Sequence, residues 1–208
     1  YVGHPFTEIS SPRLSKPEFY QKHGISEKKK ILTLIPGSRQ QEIDKMWPVY
    51  YRAAMKIQKS NNIEIVVAKG DGVALPNADG CHIEEKDTYG AMIYATAAIT
   101  TSGTASLECA VLDTPQVVCY KMSKASGLIA KIMNRAPFIS MPNLIAEKQV
   151  VSEFVQNEAN PTNIIKAIIP LLSDTSERKN MLQDFEQIRR SLGMPGVYER
   201  AAKAIIAG

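Results

Sequence analysis

The sequence predicts an α/β fold in which a parallel sheet is covered by helices on both faces. Three observations carry that expectation. Short, continuous apolar runs occur of the kind that strands buried on both faces require. These runs alternate with segments of helical periodicity, which implies right-handed crossovers between parallel strands. Glycine and hydroxyl residues follow two of the runs, at the carboxyl ends of strands where such folds bind ligands.

Taken in order, residues 31–35 (ILTLI) form the first buried strand and end at Pro36-Gly37. After a polar stretch, Tyr50, Ala54 and Ile57 share one helical face, with Pro48 placed where a first turn accepts proline. Strands are expected at 63–68 and 81–84, then a helix at 89–95. A further round follows: strand 97–101, helix 105–112, strand 116–120, helix 126–133 and a last short strand at 139–141. Helices at 161–172, 177–192 and 197–206 close the chain. Val197, Ala201, Ala204 and Ile205 make an apolar stripe on the last of them, which is expected to stay partly exposed or to be covered by a neighbouring chain.

Composition sets the outer limits. With 208 residues, 44% hydrophobic and 22% charged, the chain suits one well-buried domain and neither a disordered nor a fibrous protein. No apolar run approaches a membrane span, and Tyr1-Val2-Gly3-His4-Pro5 carries no signal pattern. This opening reads as the tail of a strand cut from a longer protein, with a partner domain upstream. Cys81, Cys109 and Cys119 are odd in number and lack C-x-x-C spacing, which argues against a disulfide framework or zinc site and for a reducing cytoplasm. The net charge of +4 and pI near 8.9 favour an anionic partner, a phosphate-bearing substrate or a lipid surface, without pointing to nucleic acid. Lys28-Lys29-Lys30 is the sole basic run and reads as a solvated loop.

Two loops hold candidate chemistry. In Pro36-Gly37-Ser38-Arg39 a glycine permits a sharp turn, and the guanidinium beyond it could pair with phosphate oxygens; alone, the tetrapeptide reads better as a tight turn bearing an exposed arginine. Ser102-Gly103-Thr104 precedes a helix containing Glu108, where free backbone N–H groups and the helix dipole suit a phosphate; helix capping by Ser102 or Thr104 is the competing account. Neither loop matches the G-x-x-x-x-G-K-[ST] or G-x-G-x-x-G patterns, so nucleotide hydrolysis and hydride transfer lose ground. Downstream, Asn143 can donate and accept at once, and Glu153 could accept two ribose hydroxyls, although taken singly a turn residue and a solvated helix face explain them better.

Read together, His4-Pro5, LIPGSRQQEI at 34–43, TSGTASLE at 101–108, PQVVCYK at 115–121, PNLI at 142–145 and VSEFVQ at 151–156 resemble the carboxy-terminal half of the lipid-A-disaccharide synthases. Ser152 stands where that family's V-P-E pattern has proline. The resemblance implies one Rossmann-like half of a two-domain GT-B glycosyltransferase. Residues 1–208 would form the donor-binding domain with its terminal helices, and the acceptor domain would lie upstream. It further implies transfer of 2,3-diacylglucosamine from UDP to 2,3-diacylglucosamine 1-phosphate with inversion. Gly37, Ser38, Arg39, Ser102, Gly103 and Thr104 would sit at the UDP diphosphate, Glu108 and Asn143 would line the donor pocket, and Glu153 would lie close by. Arg39 and a helix dipole would stabilise the leaving diphosphate without a metal or other cofactor, and the general base would belong to the other half. A cytoplasmic enzyme is implied, with room for peripheral association with the inner membrane and for oligomer formation. The rival readings are a UDP-sugar-binding module without transfer activity, and another GT-B enzyme using UDP-N-acetylglucosamine, such as a peptidoglycan transferase or a 2-epimerase.

Overall fold

The computed structural model describes residues 2–9, 11–121 and 137–207. Among them six strands form one parallel sheet: β1 (Lys30–Ile35), β2 (Ile63–Ala68), β3 (His82–Glu84), β4 (Ala97–Thr101), β5 (Gln116–Tyr120) and β6 (Ser152–Val155). Their spatial order is β3-β2-β1-β4-β5-β6, the doubly wound arrangement in which the chain reverses direction across the sheet between β1 and β4. Register is continuous there, Leu32 pairing with Ala97 and Ile35 with Thr100.

The alternation of side chains along each strand divides the core in two. Leu32 and Leu34 of β1, Ile65 and Val67 of β2, and Ile99 of β4 face helix α2 (Gln40–Ser60) through Ile43, Met46, Trp47, Tyr50 and Ile57, all buried. Ile31, Ile35, Val66 and Ala98 point the other way, toward Phe19 and Tyr20 of α1 (Lys16–Lys22) and Ala91 and Met92 of α3 (Thr88–Ile93). On the β5 side, α4 (Thr104–Val111), α5 (Met141–Ala146) and α7 (Ser176–Ser191) pack on one another, while α6 (Pro161–Ile168) packs against α2. The chain ends in α8 (Val197–Ala207), which rests on a 3-10 turn at Pro5–Glu8. Arg200 ties that corner by donating to the carbonyls of Val2 (3.0 Å), Pro195 (2.6 Å) and Met194 (2.6 Å).

The helix carrying Tyr50, Ala54 and Ile57 starts well before the expected point, so Pro48 lies inside α2. The polar stretch proved helical because Ile43, Met46 and Trp47 already contribute to the buried face, which outweighs the one backbone bond that proline removes. No strand exists at 139–141. The amides of Ile139 and Ser140 bond the carboxylate of Glu153 instead of a ladder, and Pro142 sits in the first turn of α5. The sixth strand is Ser152–Val155, paired with β5. Val2–His4 forms no strand, and α1 had no counterpart in the sequence reading. The expected helix at 126–133 lies outside the described residues. The stripe on α8 is split as anticipated: Val197 is buried, whereas Ile205 is 80% exposed.

Candidate functional site

A cleft of about 480 Å³ opens at the carboxyl edge of the sheet and is lined by Gly37, Ser38, Arg39, Glu42, Ser102, Gly103, Thr104 and Glu108, with Gly70, Thr88 and Met92 beside them. It straddles the β1/β4 reversal, where the loops following two adjacent strands diverge to opposite faces and leave a crevice between them. The two loops expected to share one edge do so.

Two helices begin in this crevice. Arg39 is the N-cap of α2 and Gly103 that of α4, and neither makes a side-chain cap. The N–H groups of the first two residues of each helix, which precede the helical hydrogen-bond ladder, therefore converge with the positive dipole ends on the same space. Gly103 adopts φ 154, ψ -163, a backbone state essentially confined to glycine, and this lets the chain leave β4 and enter α4 without a side chain in the cleft mouth. Ser106 Oγ then closes the turn by donating to Gly103 O at 2.7 Å.

Gly37 is required for a different reason. Its φ is +114, and a Cβ there would stand 2.6 Å from a Glu42 carboxylate oxygen. Gly37→Ala should destabilise the fold by roughly 1–3 kcal/mol, measurable as a lower urea midpoint at unchanged slope; an unaltered midpoint would show that the turn relaxes freely. Glu42 also takes the Arg39 guanidinium at 3.5 Å. With its side chain 80% exposed, Arg39 is held only loosely and is free to turn toward a ligand.

Thr101 lines the cleft, and buried polar contacts lie behind it. Tyr50 Oη and Thr101 Oγ1 share a hydrogen bond of 3.1 Å, and burial pushes the Tyr50 phenol well above its ordinary range, so it stays protonated. Thr100 Oγ1 donates to Gln116 Oε1 at 2.9 Å, and Gln116 Nε2 donates to the Ser106 carbonyl at 2.6 Å, which fixes β4, β5 and α4 to one another. Gln40 clasps Ala74 through its N–H (2.8 Å) and carbonyl (3.0 Å), bringing the 71–75 loop against the start of α2. Glu108 lies in the wall, and burial raises its pKa, an environment in which a carboxylate gains by accepting hydroxyl hydrogen bonds.

Of the residues singled out in the sequence, Gly37, Ser38, Arg39, Ser102, Gly103, Thr104 and Glu108 are brought together. Asn143 and Glu153 do not line the cleft. Asn143 is fully buried, and Glu153 faces the turn at 139–140. Sequence reasoning missed Glu42, Gly70, Thr88 and Thr101; the turn Lys69-Gly70-Asp71-Gly72 directly after β2 was the signal available for Gly70. Among the described residues no group of His, Cys, Asp and Glu has the arrangement of a metal site, and no helix is long and apolar enough to cross a membrane.

A family model described as lipid-A-disaccharide synthetase matches residues 1–206. The chain is 33% identical over 213 residues to the lipid-A-disaccharide synthase of Syntrophus aciditrophicus, covering 97% of this chain and 55% of that protein. It is 32% identical to the enzyme of the same name from Prochlorococcus marinus, covering 99% and 57%. The chain thus spans little more than half the length of these relatives. Among solved structures, the calicheamicin glycosyltransferase CalG4 superposes with TM-score 0.57 at 18% identity, covering 88% of this chain and 42% of that one. The spinosyn rhamnosyltransferase SpnG, complexed with thymidine diphosphate, gives 0.56 at 14%, covering 84% and 45%. A putative UDP-N-acetylglucosamine 2-epimerase from Listeria monocytogenes gives 0.55 at 15%, covering 83% and 43%. The fold is accordingly Rossmann-like, one half of a GT-B architecture.

Proposed function

The chain belongs to the lipid-A-disaccharide synthetase family, and from that premise we propose that residues 1–208 are its donor-binding half, with the cleft at the β1/β4 reversal holding the diphosphate of UDP-2,3-diacylglucosamine. The observation that carries this reading is the convergence of two helix N-termini and one loosely held arginine on a single crevice. Such a site offers backbone donors and positive potential to phosphate oxygens. SpnG, which has the same fold, is described in complex with a nucleoside diphosphate, and this supports a nucleotide-sugar donor.

In the proposed reaction the 6-hydroxyl of 2,3-diacylglucosamine 1-phosphate attacks the anomeric carbon, the bond from that carbon to the diphosphate oxygen breaks, and the centre inverts. Charge then accumulates on the departing UDP. The first-turn amides of α2 and α4 and the Thr104 hydroxyl donate to it, and Arg39 leaves Glu42 to supply the charge-assisted pair. Glu108 accepts a hydroxyl of the nucleotide sugar from the wall of the cleft. The acceptor proton goes to a carboxylate base in the upstream half, which also binds the acylated acceptor.

Isotope-labelled protein titrated with UDP tests the placement. Amide resonances of Gly37–Arg39 and Gly103–Ala105 should shift together and saturate together; shifts confined to other surfaces would remove the assignment. The division of labour has its own check. Supplied with both acylated substrates, the purified chain should form no disaccharide until the upstream half is added, and product from the chain alone would place the base within these residues.

A further inference from the structure

We infer that Asn143, Glu153 and Ser102 are positioning residues: they lock the turn at 139–140 against the loop that opens α4 and so set the phosphate-facing amides, without themselves binding the nucleotide. The inference rests on the reading of the cleft as a diphosphate site.

Asn143 has no capacity left for a ligand. Its Oδ1 accepts from the Val150 and Val151 amides at 2.7 and 2.8 Å, and its Nδ2 donates to Val151 O at 2.9 Å and to Glu153 Oε1 at 2.7 Å. That is the full complement of an amide side chain, in a residue with 0% exposure. Glu153 is similarly occupied. Oε1 accepts from Ser140 N (2.9 Å), Ser140 Oγ (2.6 Å) and Asn143, and Oε2 accepts from Ile139 N (2.9 Å). Three donors crowd one oxygen, so the carboxylate cannot also take a pair of adjacent ribose hydroxyls.

What these bonds achieve lies one step further on. With both amides of the 139–140 turn held by Glu153, the Ile139 carbonyl faces Ser102, whose Oγ donates to it at 3.0 Å. The Ser102 amide is held as well, donating to Cys119 O at 3.1 Å. Ser102 is therefore fixed from its backbone and its side chain, immediately before the N-cap Gly103 and the open amides of α4. Its one hydroxyl hydrogen is committed to Ile139, leaving the backbone N–H groups and the Thr104 hydroxyl as the donors toward phosphate.

The test uses Glu153→Gln, Ser102→Ala and the double variant of the whole chain. Glu153→Gln keeps the shape but replaces an acceptor by an NH₂ group facing donors. In the ligand-free variant, amide hydrogen exchange at Ser102 and Ser106, whose N–H groups are bonded to Cys119 O and Gly103 O, and at 139–140 should rise about tenfold, with β1 and β2 unchanged. UDP affinity should fall about tenfold in each single variant and no further in the double, because both act through one contact. Thr104→Ala combined with either should multiply the losses. Lost affinity with unchanged exchange at Ser102 and Ser106 would overturn the inference, since direct ligand contact gives that result. So would multiplicative losses in the Glu153→Gln, Ser102→Ala pair. If Glu153→Gln fails to fold, Ser140→Ala removes one donor from the same carboxylate and should show the same pattern at smaller amplitude. Failure of the unsubstituted chain to bind UDP would remove the reading of the cleft alone, and the exchange comparison would still decide whether Glu153 orders the loop.

Discussion

Arg39→Ala should weaken UDP binding by about ten- to hundredfold, equivalent to roughly 1.5–3 kcal/mol, through loss of one or two charge-assisted hydrogen bonds. The loss should appear in binding and not in folding. Arg39 is mostly exposed, and its ion pair to Glu42 is a long i,i+3 contact of the kind that adds little to stability. Arg39→Lys should recover part of the affinity, because an ammonium keeps the charge but gives up the planar fork. Glu42→Gln should tighten binding a few-fold, since Arg39 then leaves a neutral partner. Calorimetric titration of the four proteins measures the series; unchanged affinity in Arg39→Ala would remove the guanidinium from the site.

Glu84→Gln should cost roughly 3 kcal/mol of stability near neutral pH and flatten the acid limb of the stability profile. Glu84 ends β3 with a fully buried side chain that takes Lys22 Nζ at 2.5 Å, His23 Nε2 at 2.9 Å and the amides of Lys86 and Asp87 at 2.8 and 2.9 Å. Burial pushes its pKa up, but Lys22, the two amides and His23 together pull it down to about 2. A carboxyl lowered in the folded state stabilises fully above its ordinary value near 4.5 and loses that contribution as pH falls toward 2. His23, lowered chiefly by burial against the pull of Glu84, adds a loss of the same sign as pH falls below its ordinary range. The cluster matters to the cleft because Asp87, placed by Glu84, caps α3 at Gly90 N (3.0 Å) and receives Leu14 N (3.1 Å), and α3 carries Thr88 and Met92 into the wall. Urea unfolding of both proteins at pH 7 and pH 3 checks this; equal losses on acidification would show that the cluster does not govern the limb.

The sheet was legible because burial on both faces forces predominantly apolar runs, as in Ile31–Leu34 and Val66–Ala68. Strand order was not, because the contacts that set it are remote in sequence. The edge strand β6 escaped because all four residues are half-buried and polar Ser152 and Glu153 interrupt the run. Ser152 opens the strand, a place where a proline is tolerated. The segment α1 gave a capping box, Ser15 with Glu18, that went unread. At the site, Gly37–Arg39 and Ser102–Thr104 were legible as strand-end loops. The true surroundings of Asn143 and Glu153 were not, because a saturated buried amide and a ligand-facing one have the same letter.

The most direct test of the diphosphate site is calorimetric titration of the chain with uridine, UMP and UDP in turn. Affinity should climb with each phosphate, UDP binding at one site per chain and at least about tenfold more tightly than UMP, and the gain should shrink as salt is raised. Equal affinity for all three ligands, or no detectable binding of UDP at millimolar concentration, would contradict the assignment of the β1/β4 cleft to the diphosphate.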